Sequence, residues 1–301
     1  MTTRIAIVFG ATGQQGSSVV RALLEDGTFR PRAVTRDVNS SSARALAQLG
    51  AEIVSADFSD KDAIKNVVTG AEVVFLVTVP FSPVSPEDVQ GKNVVDASKE
   101  AGVRFMVFST LPGVSELSNG KYTNATHCDD KEKIRKYIQA SGVPHASIGT
   151  GFFFENTLKP FAGLPLEKTD NGYVWNAYAR PGSVTVHTWV TRDMGPSVVA
   201  LFTKYTTRAS EIVGQYFVLG SARTSFEDFA AELSKALGAP VHFKSAGKAG
   251  FLPLSDMFDS VAEYPWYGEV DIPDPRLEKL GVKTGTIEEF GRTVFKSHLA
   301  E

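Results

Sequence analysis

The chain has one cysteine in 301 residues, Cys128, so it forms no internal disulfide and suits a reducing compartment. It also lacks any long apolar run. The most apolar stretch, residues 73–81, falls far short of the roughly 20 residues that a membrane-spanning helix requires. Charge of one sign is missing too: 31 Lys and Arg stand against 34 Asp and Glu, and no basic stripe is present. Direct nucleic-acid binding therefore has no electrostatic footprint. No internal repeat or low-complexity tract is visible, and the first strand pattern begins at Arg4, which leaves no room for a signal peptide. A cytoplasmic protein is the expectation.

What is present begins with glycine. Gly10-Ala11-Thr12-Gly13-Gln14-Gln15-Gly16 directly follows the apolar run Ile5-Ala6-Ile7-Val8-Phe9. Apolar residues then recur at helical spacing at Val19, Val20, Leu23 and Leu24, until Asp26-Gly27 ends the pattern. The glycines thus lie where a buried parallel strand turns into a helix. At this spacing Gly10 makes the turn, Gly13 lets the backbone approach a diphosphate, and Gly16 lets the helix pack close to the strand. A dinucleotide is the expected ligand, held by Gly10, Thr12, Gly13, Gln14, Gln15 and Gly16. The competing reading is a plain strand-to-helix turn that uses glycine only for its positive φ.

Strand and helix patterns alternate through the first half. Strands are expected over residues 31–36, 51–56, 73–79, 105–109 and 146–149, with helices over 42–49, 61–68, 89–101 and 126–140; Thr126 has the side chain of an N-cap. This is the pattern of an α/β fold, a doubly wound parallel Rossmann sheet over residues 1–150. At 301 residues and 43% apolar, the chain can bury one large core or one and a half smaller ones. Residues 151–301 break the alternation and are expected to form a smaller mixed α/β lobe over the carboxyl ends of the strands. That lobe has a strand over 184–190, a helix capped by Asp193 that runs to Lys204, a strand over 215–219 and a helix over 225–237.

The end of the second strand reaches the adenosine ribose of a dinucleotide, where an acid accepts from the 2′-OH and an arginine accommodates a 2′-phosphate. The strand ends Val34-Thr35-Arg36-Asp37, arginine first. NADP(H) is therefore expected ahead of NAD(H), with Asp37 as the residue that would serve NAD. Asp57 and Phe58, after the third strand, would lie near the adenine edge, although Asp57 and more so Asp60 also suit the cap of the next helix. Thr78 and Val79, at the end of the fourth strand, complete the cofactor contacts on that side.

The glycine motif, Ala56-Asp57, Phe108-Ser109-Thr110, His127-x-x-x-Lys131, Gly142-Val143-Pro144 and Gly151-Phe152-Phe153-Phe154-Glu155-Asn156 together resemble the NmrA-like family of atypical short-chain dehydrogenase/reductases. The resemblance is good over residues 4–200 and looser beyond. It implies a Rossmann fold that binds NADP(H) or NAD. It also implies one of two functions: a reductase related to the isoflavone reductase group, or a redox-sensing regulator that holds the dinucleotide and contacts a protein partner.

Short-chain reductases usually place Tyr-x-x-x-Lys on one helix face, the lysine binding the nicotinamide ribose and lowering the tyrosine's pKa. Here the tyrosine's place is taken by His127, while Lys131 is kept. His127, Tyr122 from the preceding loop and Ser109 at the end of the fifth strand are the candidates for a proton or an oxygen contact; for Lys131 the competing reading is a solvated helix position. His127, Cys128, Asp129 and Asp130 do not form a metal site, because adjacent helical positions diverge, and Cys128 has no resolving partner. Gly151 and Phe152, after the sixth strand, are expected to approach the nicotinamide. Tyr173, Trp175, Tyr178, Trp189 and Trp266 belong to a substrate pocket or to the core of the second lobe. The two functional readings are an NADPH-dependent reductase of a small carbonyl, enone, imine or aromatic substrate, and an NADP(H) sensor. In the sensor, residues 80–87 and 111–124 would rearrange for a regulatory partner.

Overall fold

The computed structural model describes residues 4–158, 166–268 and 270–300. Its first half runs β1 (Ile5–Val8), α1 (Gln14–Asp26), β2 (Arg30–Thr35), α2 (Ser41–Gln48), β3 (Glu52–Ser55), α3 (Lys61–Val68), β4 (Val73–Leu76), α4 (Glu87–Glu100), β5 (Phe105–Thr110), a single turn α5 (Val114–Leu117), α6 (Thr126–Ser141) and β6 (His145–Thr150). The second half continues with β7 (Phe152–Phe153), β8 (Leu166–Thr169), β9 (Gly172–Ala177), β10 (Val184–Thr188), α7 (Val190–Lys204), the short α8 (Ala209–Ile212), β11 (Tyr216–Leu219), β12 (Ala222–Ser225), α9 (Phe226–Leu237), β13 (Val241–Ser245) and α10 (Leu252–Glu263). The aromatic-rich segment after β6 falls partly on residues 159–165, outside the described residues.

Seven strands form one parallel sheet in the order β11-β6-β5-β4-β1-β2-β3. The strand order reverses between β1 and β4, and a crevice opens there at the carboxyl ends, where ligands bind in open sheets. Both sheet faces are buried, which the strand sequences explain by simple alternation. Ala6, Val8, Val73, Phe75, Phe105 and Val107 join α1 and α7 in one core. Ile7, Val74, Leu76, Met106 and Phe108 join α3, α4 and α6 in the other. Two three-stranded sheets, β12-β10-β7 and β13-β9-β8, belong to the second half. They enclose a third, aromatic core around Phe154, Trp175, Trp189, Phe226, Phe229 and Phe290.

The chain beyond residue 150 also returns to the first half. β11 adds the seventh strand beside β6, and α7 lies along α1. That packing is close because residue 195 is glycine: a Cβ there would lie 2.3 Å from the carbonyl oxygen of Ser18 and 2.7 Å from Cβ of Ala22. The Gly195 N–H instead donates to Ser18 Oγ at 2.9 Å.

Several helix ends are closed by short-range contacts. Ser40, Asp60 and Ser225 cap α2, α3 and α9 through their side chains, and Gly142 ends α6 in the left-handed region. Two expected caps are corrected. Thr126 is the first residue inside α6 and Ala125 stands at the cap. Asp193 lies inside α7, buried, and accepts from Gly285 N and Ser221 Oγ. The start of α7 is capped from a distance by Glu155, which accepts from Thr191 N at 2.7 Å and Val190 N at 3.3 Å. A cap and a buried acceptor call for the same residue types, so the local pattern does not separate them.

The α1–α7 contact gives a direct test. Gly195→Val should lower stability by about 2 kcal/mol or more, the cost of overpacking against a rigid backbone. Urea denaturation checks this; an unchanged midpoint would show that the two helices are free to separate.

Candidate active site

The crevice is shaped first by backbone. Gly10 sits at φ +64, and a Cβ there would meet Val77 Cγ1 at 2.7 Å. At Gly16 a Cβ would lie 2.2 Å from the carbonyl oxygen of Gly10, so only glycine lets α1 start so close to β1. Gly13 is the N-cap of α1 and brings no side-chain cap, and the first turn carries no acid. The Gly13 N–H donates to the Gly10 carbonyl, and the N–H groups of the first turn of α1, with its positive dipole end, face a groove of about 460 Å³ lined by Gly10, Thr12, Gly13, Gln14, Gln15 and Gly16. A diphosphate fits this end on charge and hydrogen bonding alike.

At the end of the groove beside β2, Arg36 is exposed and its guanidinium has no hydrogen bond or ion pair among the described residues. Asp37, also in the wall, is already engaged, since Oδ1 accepts from Asn39 N at 2.8 Å. Ser40, unmarked by the sequence pattern, lines the wall beside them. Phe58 stacks on Phe9 with centroids 5.6 Å apart and forms part of the wall. Asp57 turns away: its Oδ1 accepts from both N and Oγ of Ser59, and these contacts hold its pKa below the usual carboxylate value. Thr78 and Val79 close the opposite side.

The groove runs into a second cavity of about 310 Å³, with Gln14, Gln15, Thr78 and Phe153 lining both. Lys131 lines this second cavity and is 7% exposed, which removes the solvated-helix reading. Its ammonium donates to Glu87 Oε1 at 2.5 Å and Thr78 Oγ1 at 3.1 Å, and Thr78 donates to the same Glu87 oxygen at 2.6 Å. An ammonium has three donors, so one is left for a further acceptor. Ser109 faces the same space, its hydroxyl donating to Gln15 Oε1 at 2.5 Å.

His127 also lines the cavity. Its Nε2 lies 3.3 Å from Met257 Sδ and 3.4 Å from Cys128 Sγ, weak partners both, while Nδ1 is buried without one. Burial, with the Lys131 charge nearby, lowers its pKa to about 4. The ring is therefore neutral at neutral pH and a poor acid. Tyr122 does not line the cavity. It packs edge-on to Tyr264 in a side cluster with Val114, Cys128 and Trp266. Its hydroxyl turns toward Glu263 and Arg180.

Gly151 lines the cavity, yet what demands glycine there is packing, since a Cβ would lie 2.0 Å from the carbonyl oxygen of Val186. Phe152 forms wall together with Phe226, Phe258, Met257 and Trp266. Of the second-half aromatics in question, only Trp266 reaches the cavity; Trp175 and Trp189 are core, with Tyr173 and Tyr178 against it. Cys128 is fully buried and its thiol pKa is raised by burial. The side chains at 127–130 diverge as helical geometry requires: Asp129 accepts from Ser115 N, and Asp130 pairs with Lys133.

Glu87 and Gln90 escaped the sequence reading. Gln90 clamps the segment after β4, accepting from Val79 N and donating to the carbonyls of Val79 and Ser85. Glu87 reads locally as an ordinary acid in the first turn of α4, and nothing in the sequence marks a lysine 44 residues later as its partner.

The sequence profile of the NmrA-like family matches residues 1–279. The chain belongs to the NmrA-like family. One NmrA-like relative, the NmrA-like family domain-containing oxidoreductase lnaB of Aspergillus flavus, is 30% identical over 275 residues, 85% of this chain and 78% of the relative. The fold is also that of NmrA, a negative transcriptional regulator. Its complexes with NAD and NADP superpose with TM-scores of 0.82 and 0.80 at 18% identity, each covering 99% of this chain and 98% of NmrA. The NADPH-dependent quinone oxidoreductase QOR2 of Escherichia coli, complexed with NADPH, reaches a TM-score of 0.70 at 24% identity over 99% of this chain and all of QOR2.

Because the folded-state pKa of His127 lies below its unfolded value, the unfolded chain binds more protons on acidification. Stability from this group is complete above about pH 6.5 and is lost as pH falls toward 4. His187, buried and lowered to about 3, acts with the same sign. His127→Gln should therefore lose about 2 kcal/mol less than the parent between about pH 7.5 and pH 5. Denaturation midpoints at the two pH values measure the difference; parallel losses would mean that His127 titrates normally in the folded protein.

Proposed function

We propose that this NmrA-like protein is an NADPH-dependent reductase of a small conjugated substrate, a carbonyl, enone, imine or aromatic compound. The observation that carries the reading is the junction: a groove suited to a dinucleotide opens directly into an apolar cavity, and Lys131, in the cavity wall, bonds Thr78, which lines both. Bound NADPH would supply a hydride from its nicotinamide ring. The first turn of α1 would hold the diphosphate, Arg36 the 2′-phosphate, and Lys131 the nicotinamide ribose. The aromatic walls would orient a flat substrate and exclude water. Ser109, which faces the same cavity, would contact the substrate oxygen, and neutral His127 is a poor acid there. The relative named as an oxidoreductase supports this reading. Division at residue 150 into a cofactor half and a substrate half belongs to the same proposal, with β11 and α7 returned to the first.

A second reading, an NADP(H)-sensing regulator, draws on the missing tyrosine and on the likeness to a transcriptional regulator. In that case residues 80–87 and 111–124 would carry the signal to a protein partner.

Nicotinamide fluorescence should show NADPH binding more tightly than NADH, with a preference of about tenfold or more that Arg36→Ala removes, since a charge-assisted contact is worth about 1.5–3 kcal/mol. Equal affinities in the parent would withdraw the NADP(H) assignment. For turnover, NADPH oxidation against a panel of aromatic carbonyls, enones and imines should reveal a substrate whose kcat/KM falls about 100-fold in Lys131→Met. Tight NADPH binding without any Lys131-dependent turnover would transfer the assignment to the sensor.

A further inference from the structure

The cavity beyond the junction is unusual in its charge. Among the described residues that line it, only Lys131 and His127 ionise, and His127 is neutral. Lys131 is matched by Glu87, which lies behind the wall, 4% exposed, with Oε1 at 2.5 Å from the ammonium. The other carboxylate oxygen, Oε2, is buried with no hydrogen-bond partner. Stability is a poor reason to keep such a pair, because apolar residues of similar size serve a core as well or better. Its effect on the cavity is electrostatic. One cation in a low-dielectric wall would draw in any anion, whereas the pair presents almost no net charge. The remaining surface is uncharged and includes the aromatic side chains of Phe152, Phe226, Phe258 and Trp266, with hydroxyl and amide groups such as those of Ser109 and Asn156 to orient a ligand.

We infer that Glu87 is a specificity-determining residue: by neutralising Lys131 it makes the cavity select flat, uncharged aromatic molecules and turn away their anionic counterparts. This rests on the reductase reading for its meaning, but its test is a binding measurement that needs no turnover. Glu87 acts through Lys131 and touches no substrate.

Naphthalene-2-carboxamide and 2-naphthoate have nearly the same shape and differ by one charge. Titration calorimetry on the NADPH-saturated protein should find the amide bound about tenfold more tightly or better, and Glu87→Gln should move the ratio toward naphthoate by about tenfold or more, as an unbalanced cation demands. The double variant Glu87→Gln/Lys131→Gln should return the preference to the amide. The parent's own ratio keeps the inference falsifiable should Glu87→Gln fail to fold. Naphthoate bound as tightly as the amide by the parent, binding of neither probe, or an unchanged ratio in Glu87→Gln would overturn it. Failure of the reductase reading looks different: the ratios behave as stated, and no compound oxidises NADPH.

Discussion

The closeness of α1 to the sheet is the constraint on which every ligand-facing feature of this molecule depends. Two carbonyl-to-helix approaches fix it. On the sheet side the Gly10 carbonyl leaves no room for a side chain at residue 16; on the outer side the Ser18 carbonyl leaves none at residue 195. α1 is thus held between β1 and α7 by backbone contacts that tolerate no Cβ, and its N-terminal N–H groups emerge where the strand order reverses. A helix end placed there offers hydrogen bonds and a positive dipole to an anion without any charged side chain. The groove, the cavity and the junction between them follow from that placement.

The second commitment is electrostatic and lies on the opposite wall. Burying an ammonium and a carboxylate requires removing both from water, a desolvation penalty of several kcal/mol per ion that their attraction recovers only with good geometry. Here the geometry is supported from three directions. Thr78 bridges the two charges, the N-terminal turn of α4 favours the acid, and Gln90 pins the segment that joins β4 to α4. Phe81, in that same segment, takes a left-handed φ of +56 and lays its ring 5.2 Å from that of His127. Strain of this kind persists where surrounding contacts over-determine it. The wall that would meet the nicotinamide is consequently preorganised.

Local features of the fold were legible in the sequence, and non-local ones were not. The glycine motif declares itself because turn, close approach and helix packing all act within seven residues. The alternation of strand and helix is legible for the same reason. Nothing local says that β11 returns to pair with β6, residue for residue 69 positions earlier in the chain, or that Asp193 serves Gly285 rather than the end of its own helix. In the site the division is similar. Lys131, Ser109, His127, Thr78 and the groove residues converge on one crevice, because motif spacing at strand ends reports position. Tyr122 goes elsewhere and Glu87 comes in, because loop conformation and buried pairing depend on the whole chain. Gly151 was read as a cofactor contact; it lines the cavity, and what demands glycine there is the carbonyl of Val186.

The central claim is that one dinucleotide spans the groove and delivers its reactive ring to the apolar cavity at Lys131. A crystal structure with NADP⁺ tests it most directly. The account predicts the diphosphate over the first turn of α1, the 2′-phosphate at Arg36, and the nicotinamide ribose within hydrogen-bond reach of Lys131, with the ring facing Ser109 and Phe152. A nicotinamide that lies outside the cavity, or a ribose out of reach of Lys131, would contradict it.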